Sequence, residues 1–131
     1  MMIKRLPFAF GALVFLIFTL LQFNDAGQYG NYDAWIWIAI YGAMTAISAM
    51  MIWRPIALHW LFAWAGFTWG ALLFRLQDGQ GNIHIEWLHP ANYWDETNTM
   101  VQQSNESGGL LILAVWASCV AIITYFNQKK T

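Results

Sequence analysis

Residues Leu6 to Phe23 read LPFAFGALVFLIFTLLQF, 18 positions without a single Asp, Glu, Lys or Arg. At 1.5 Å rise per residue, about 20 helical residues cross the roughly 30 Å hydrocarbon core of a bilayer. Three more charge-free runs follow, Ala34–Trp53, Pro55–Phe74 and Ser107–Gln128, of 20, 20 and 22 residues. Runs such as Ala12 to Phe18 do not alternate apolar and polar residues, which excludes strands of a membrane barrel. The reading is an all-α, four-helix transmembrane bundle forming one integral membrane domain over residues 1–131, with spans at 6–23, 34–53, 55–74 and 107–128.

Composition narrows the class. Of 131 residues, 59% are hydrophobic and only 10% charged, whereas soluble domains carry about 25% charged residues. The formal charge of -1 and the scattered Lys and Arg leave no basic patch for nucleic acid, so none is expected as a partner. Lys4 and Arg5 precede the first run as in a secretory signal. No small-x-small cleavage pattern follows, so that helix is read as retained.

Basic residues in short loops orient the spans. With Lys4 and Arg5 inside, Arg54, Lys129 and Lys130 fall inside too, while Asp25, Asp33, Asp78, Glu86, Asp95, Glu96 and Glu106 fall outside with Arg75. The expected setting is a bacterial inner (plasma) membrane with both termini cytoplasmic. Cys119 lies in the fourth run and has no second cysteine with which to pair.

Pro7 suits the first turn of helix one, and Pro55 is read in the same position of helix three. Because Arg54 is the only charge between runs two and three, those helices should form a tight hairpin. Gly42, Ala46 and Ala49 are expected to face Ala63, Gly66 and Gly70 across it, the Gly66-to-Gly70 GxxxG serving intramolecular packing rather than a homodimer seam. Trp35, Trp37 and Trp53 fit an interfacial aromatic belt. The long outer loop between helices three and four, from Arg75 to Glu106, is too apolar for disorder. Pro90, Tyr93, Trp94, Thr97 and Val101 predict a short amphipathic helix within it.

Chemistry-bearing residues are few. His59 should point from helix three toward helix two. A haem there needs a second axial ligand such as Met44, Met50 or Met51, and a neutral histidine bonded across the hairpin explains it more simply. His84, Glu86 and His89 offer metal-type ligands, but the five-residue separation of the histidines misses the i, i+4 spacing of a helical pair. No metal or other cofactor is expected, and no nucleophile with a base or phosphate loop suggests an enzyme.

The outer ends of the helices carry a denser polar set. Gln22, Asn24 and Asp25 end helix one, Tyr41 follows Trp37 in helix two, Arg75 leaves helix three, and Glu106 precedes Gly109, Leu110 and Trp116. This pattern of Gln-x-Asn-Asp, Trp-x-x-x-Tyr and Glu followed by Gly-Leu resembles the transmembrane protein 220 family of small multi-helix membrane proteins. The resemblance implies the span order and a conserved-type polar cluster, without an activity. Ala26-Gly27 here replaces the family's usual Pro-Asp, and the segment to Trp37 and the His84 to Glu96 stretch look longer.

Within that cluster, Glu106 with Asn105 or Ser104 as N-cap is expected to complement the positive end of helix four. Arg75 should pair with Asp25 or Glu106 as a latch. The alternative is a carboxylate pair that binds a cation or moves a proton. The expected function is therefore a non-catalytic accessory or scaffold component, in contact with membrane lipids and a membrane-protein partner or homo-oligomer. The alternatives are a small transporter or ligand-binding protein using Asn24, Asp25 and Glu106, and, less favoured, a haem or metal enzyme using His59 or the His84, Glu86, His89 group.

Overall fold

The structure, a computed structural model, describes residues 5–24 and 33–129. Lys4, Asp25, Lys130 and the Ala26-Gly27 departure lie outside them. Among the described residues the fold is all-α, with four long helices: α1 (Leu6–Leu21), α2 (Ala34–Trp53), α3 (Leu58–Arg75) and α4 (Gln102–Gln128). Short 3-10 turns occupy Gln22–Asn24, Ile85–Leu88 and Pro90–Asn92. Among the described residues, three segments are long and apolar enough to cross a membrane: Leu6–Asn24, Ala34–Trp53 and Gln102–Gln128. The third helix, α3, is not among them, since His59, Arg75 and three tryptophans lower its hydropathy.

The chain divides into two compact units, Met1–Leu61 with Val120–Thr131, and Phe62–Cys119. In the first, α1 and α2 pack through Phe8, Gly11 and Phe15 on one side and Ala34, Trp37, Tyr41, Met44 and Ser48 on the other. Both sets follow the three- and four-residue steps of a helix face. The Tyr41 ring meets Phe15, Phe18 and Trp37 at centroid distances of 6.3, 5.5 and 6.1 Å. Trp37 is thus a core residue, while Trp35 and Trp53 remain exposed. A Cβ on Gly42 would meet Thr19 of α1 at 3.9 Å, so Gly42 serves the α1–α2 contact rather than helix three.

The α2–α3 connection is four residues, 54–57. Arg54 is extended at φ -137 and ψ 130, as a residue before proline prefers, and its N–H still bonds Met50 O at 2.8 Å. Helix α3 begins at Leu58, three residues after Pro55. Ile56 N–H reaches Met51 Sδ at 3.3 Å, so the proline belongs to the turn instead of the first helical position.

The rotation of α3 corrects a further expectation. Its buried stripe is Leu61, Ala65, Thr68 and Leu72, whereas His59, Ala63, Gly66 and Gly70 are exposed. Nothing lies within 4 Å of a Cβ built on Gly66 or Gly70. Leu61 and Leu72 bury large apolar side chains along this stripe, with the smaller Ala65 and Thr68 between them. His59 tilts against its neighbour Trp60, 5.2 Å between centroids, and does not reach into α2.

In the second unit, α3 and α4 run antiparallel, with Trp69 Nε1 donating to Ser118 Oγ at 2.9 Å and Arg75 meeting Glu106. Helix α4 begins at Gln102, five residues before the start of its charge-free run, so Ser104, Asn105 and Glu106 stand in its first turns and none is the N-cap. The expected amphipathic helix after Pro90 is absent. Asp95 Oδ1 instead accepts from the N–H groups of Thr97 and Thr99, both at 2.9 Å, and Asn98 adopts φ 65. Such local side-chain bonds compete with helix and close a tight turn, with Val101 N–H on Tyr93 O at 2.8 Å.

Tyr93 lies over Gly108, where an added Cβ would come within 2.9 Å of its Oη. Gly108→Ala should therefore lower stability by about 1–3 kcal/mol through overpacking, and Tyr93→Phe should recover part of that loss. Gly66→Ala and Gly70→Ala, in open space, should leave thermal unfolding in detergent unchanged or slightly raised. Equal losses at all three glycines would contradict the packing described.

Candidate functional site: the Arg75–Glu106 latch and the loop above it

The polar residues at this end of the second unit form two connected layers. In the lower layer, Arg75 at the last position of α3 donates through Nε to Glu106 Oε2. Gln102, one turn before Glu106 on α4, donates its Nε2 to Oε1 at 3.0 Å. Glu106 is 6% exposed and Arg75 25%, so the carboxylate is the deeper partner and both its oxygens are engaged. A buried carboxylate deprived of its cation is costly, whereas the partly exposed guanidinium has access to the surface. Ser107, beside Glu106, has a buried hydroxyl with no hydrogen-bond partner among the described residues.

The upper layer begins directly after α3. Asp78-Gly79-Gln80-Gly81-Asn82 turns back on itself, with Gly81 at φ +85, a conformation glycine adopts without strain. Asp78 Oδ1 accepts from the N–H groups of Gln80 and Asn82 at 2.8 and 2.9 Å. His84 N–H then returns to Leu76 O at 2.8 Å. This reversal sets the His84 ring between two carboxylates, Nε2 at 3.0 Å from Asp78 Oδ2 and Nδ1 at 2.6 Å from Glu86 Oε1. The ring stacks on Trp87 at 4.9 Å, and Arg75 Cζ lies 6.0 Å from the same indole. Trp87 therefore stands between the histidine layer and the latch.

Electrostatics follow from this geometry. The hydrogen bond to Asp78, and next that to Glu86, raise the His84 pKa above its ordinary 6.5. The His84 contact holds Asp78 and Glu86 below their ordinary values, for Asp78 with the turn amides adding to it. Asp95 is also lowered, chiefly by the Thr97 hydroxyl.

His84, Glu86 and His89 do not gather around one point. His89 Nδ1 accepts from Ala91 N–H at 3.2 Å, and its ring caps the Pro90 turn. Among the described residues no three His, Cys, Asp or Glu side chains are placed to hold a metal ion. Gln22, Asn24 and Tyr41 belong to the first unit, where Gln22 and Asn24 form the 3-10 turn after α1 and Tyr41 is buried in the α1–α2 contact. Asp25 lies outside the described residues. Near the start of α2, Asp33 Oδ1 and Trp37 Nε1 are buried without a partner among the described residues. Sequence reasoning missed Asp78 and Gln102. The Asp-Gly-x-Gly-Asn turn signal next to His84 points to the first, and the i, i+4 spacing from Gln102 to Glu106 points to the second.

A family model described as "Transmembrane family 220, helix" matches residues 14–122, most of the chain. No curated protein and no solved structure matches it.

Two outcomes are expected of these layers. Arg75→Gln strands a buried carboxylate and should cost about 2–3 kcal/mol of detergent stability, whereas Glu106→Gln should cost about 1 kcal/mol. Their combination should fall short of the sum, read by thermal unfolding. For the upper layer, the raised His84 pKa contributes stability that is full below pH 6.5 and lost as pH rises through the raised value. The lowered carboxylates contribute stability that is present above their ordinary 3.8 and 4.5 and lost as pH falls through the lowered values. Amide exchange across residues 76–89, corrected for intrinsic rate, should be slowest between these limits, and His84→Gln should flatten the high-pH side.

Proposed function

This chain belongs to transmembrane family 220, and from that premise we propose that it is a non-catalytic accessory or scaffold component of its membrane. The family and the three apolar helices make it a membrane protein. The observation carrying the further step is that Glu106, the one deeply buried carboxylate among the described residues, is already occupied by Arg75 and Gln102 of the same chain. Helix hydroxyls follow the same rule. Thr19, Thr45, Ser118 and Thr124 bond the carbonyl four residues back, and Thr68 that of Ala65, all at 2.7–2.9 Å. These groups are spent internally, while Phe10, Trp35, Phe67 and Phe74 face outward toward lipid or another membrane protein.

In this reading α3 is the fourth crossing segment, both termini lie in the cytoplasm, and the membrane is a bacterial inner membrane. The placement of basic residues supports it: Arg5, Arg54 and Lys129 share one side and the acids the other. A second reading, a small transporter or ligand-binding protein, is favoured by one observation, the orphaned Asp33 Oδ1 and Trp37 Nε1.

A reporter active only in the cytoplasm should work when fused after Thr131 and be silent at Gly79; the reverse pattern overturns the orientation. Protein extracted in mild detergent should migrate as a defined assembly heavier than one 15.0 kDa chain, and proteoliposomes should show no proton or sodium flux above empty vesicles. A monomer whose flux is abolished by Glu106→Gln would replace the scaffold reading with the transporter.

A further inference from the structure

At the end of the first unit opposite Asp33, the start of α1, the α2–α3 turn and the last turns of α4 line an open cavity of about 330 Å³. That is the lower end of the volumes that hold small ligands, about 300–1,000 Å³. Arg5 and Arg54 are among its lining residues, with Asn127 and the apolar Phe8 and Met51. None of its described lining residues is acidic.

The charges lack an answer among the described residues of the unit. Asp33 is the only acid among its described residues, and the 20 residues of α2 place it about 30 Å from Arg54. Neither Arg5 nor Arg54 forms an ion pair among the described residues. Two cations sharing a partly apolar cavity repel, and the repulsion is relieved by an anion set between them. Guanidinium recognises phosphate through paired N–H donors.

The neighbourhood selects the kind of phosphate. The cavity lies where the apolar helices α1, α2 and α4 end, and Trp53, 71% exposed, stands beside it as interfacial tryptophans do. A soluble phosphate would leave the Phe8 and Met51 walls against water, whereas a phospholipid covers them with its first acyl carbons. Basic pockets between membrane helices suit anionic headgroups. We propose that this cavity binds the phosphodiester of an anionic phospholipid, Arg5 and Arg54 holding the phosphate and the apolar walls the adjoining chain. The inference does not depend on which side of the membrane this end occupies.

The test uses the full chain purified in a neutral detergent, where orientation plays no part, with phosphatidylglycerol, phosphatidylcholine and inorganic phosphate as probes. Phosphatidylglycerol should stay bound in native mass spectrometry and raise the unfolding temperature, and phosphatidylcholine should do neither. Arg5→Gln and Arg54→Gln should each weaken phosphatidylglycerol binding about tenfold, while Lys129→Gln, whose cation lies 4.6 Å over the Tyr125 ring, should bind as the native chain does. If the glutamine variants lose helical content, Arg5→Lys and Arg54→Lys keep the charge without the paired donors and should bind several-fold more weakly. Native affinity in the arginine variants, equal binding of phosphatidylcholine, or displacement by millimolar inorganic phosphate would each overturn the assignment.

Discussion

Hydrocarbon offers no hydrogen bonds, so every polar group carried into a bilayer must be satisfied by the chain itself. That constraint explains more of this protein than any single side chain. The backbone meets it through the four long helices that make up most of its apolar runs. The hydroxyls of Thr19, Thr45, Thr68, Ser118 and Thr124 meet it by bonding carbonyls of their own helices. Ser118 also accepts from Trp69, so one small polar contact joins α3 and α4 without leaving an unmatched group.

Where ionised groups sit near the apolar region, the same constraint turns into pairing. Glu106 is held by a cation and an amide, and Arg75 reaches it from the last position of α3 while lying over the face of Trp87. The loop above completes the arrangement: Trp87 stacks on His84, and His84 is fixed by Asp78 and Glu86. Loop and latch thus share one indole, giving a physical route by which the ordering of one supports the other. At the far end of the first unit, Arg5 and Arg54 have no such ion-pair partner among the described residues. The contrast separates polar groups that hold the chain together from those available to something outside it.

Both units also show that a motif in the sequence does not by itself decide which helix face is interior. In α3 the interior went to Leu61, Ala65, Thr68 and Leu72, and the GxxxG face was left open. In α2 the interior went to Trp37, Tyr41 and Met44, so a tryptophan with the position of a belt residue became part of the core. A small-residue motif states that close approach is permitted there. It does not state that the approach is made within the chain.

The sequence alone determined the helical class, the four helices and the family, because charge-free length is a one-dimensional property that the bilayer reads directly. It also narrowed the partners of Arg75 to two acids, since a lone cation among acids near helix ends has few choices. Tertiary structure decided what depends on rotation about a helix axis and on local turn bonding. The facing of His59 and Gly66 changed because a rotation of about 100° per residue separates adjacent positions, and apolar residues on all sides of α3 leave its pattern nearly silent about which face is inside. The segment after Pro90 became a tight turn because the Asp95 carboxylate captured two backbone N–H groups that a helix would have used. The meeting of Asp78 with His84 required the chain reversal at Gly81, and the cavity between Arg5 and Arg54 required three separate segments to converge. Periodicity along a chain carries no information about such convergence.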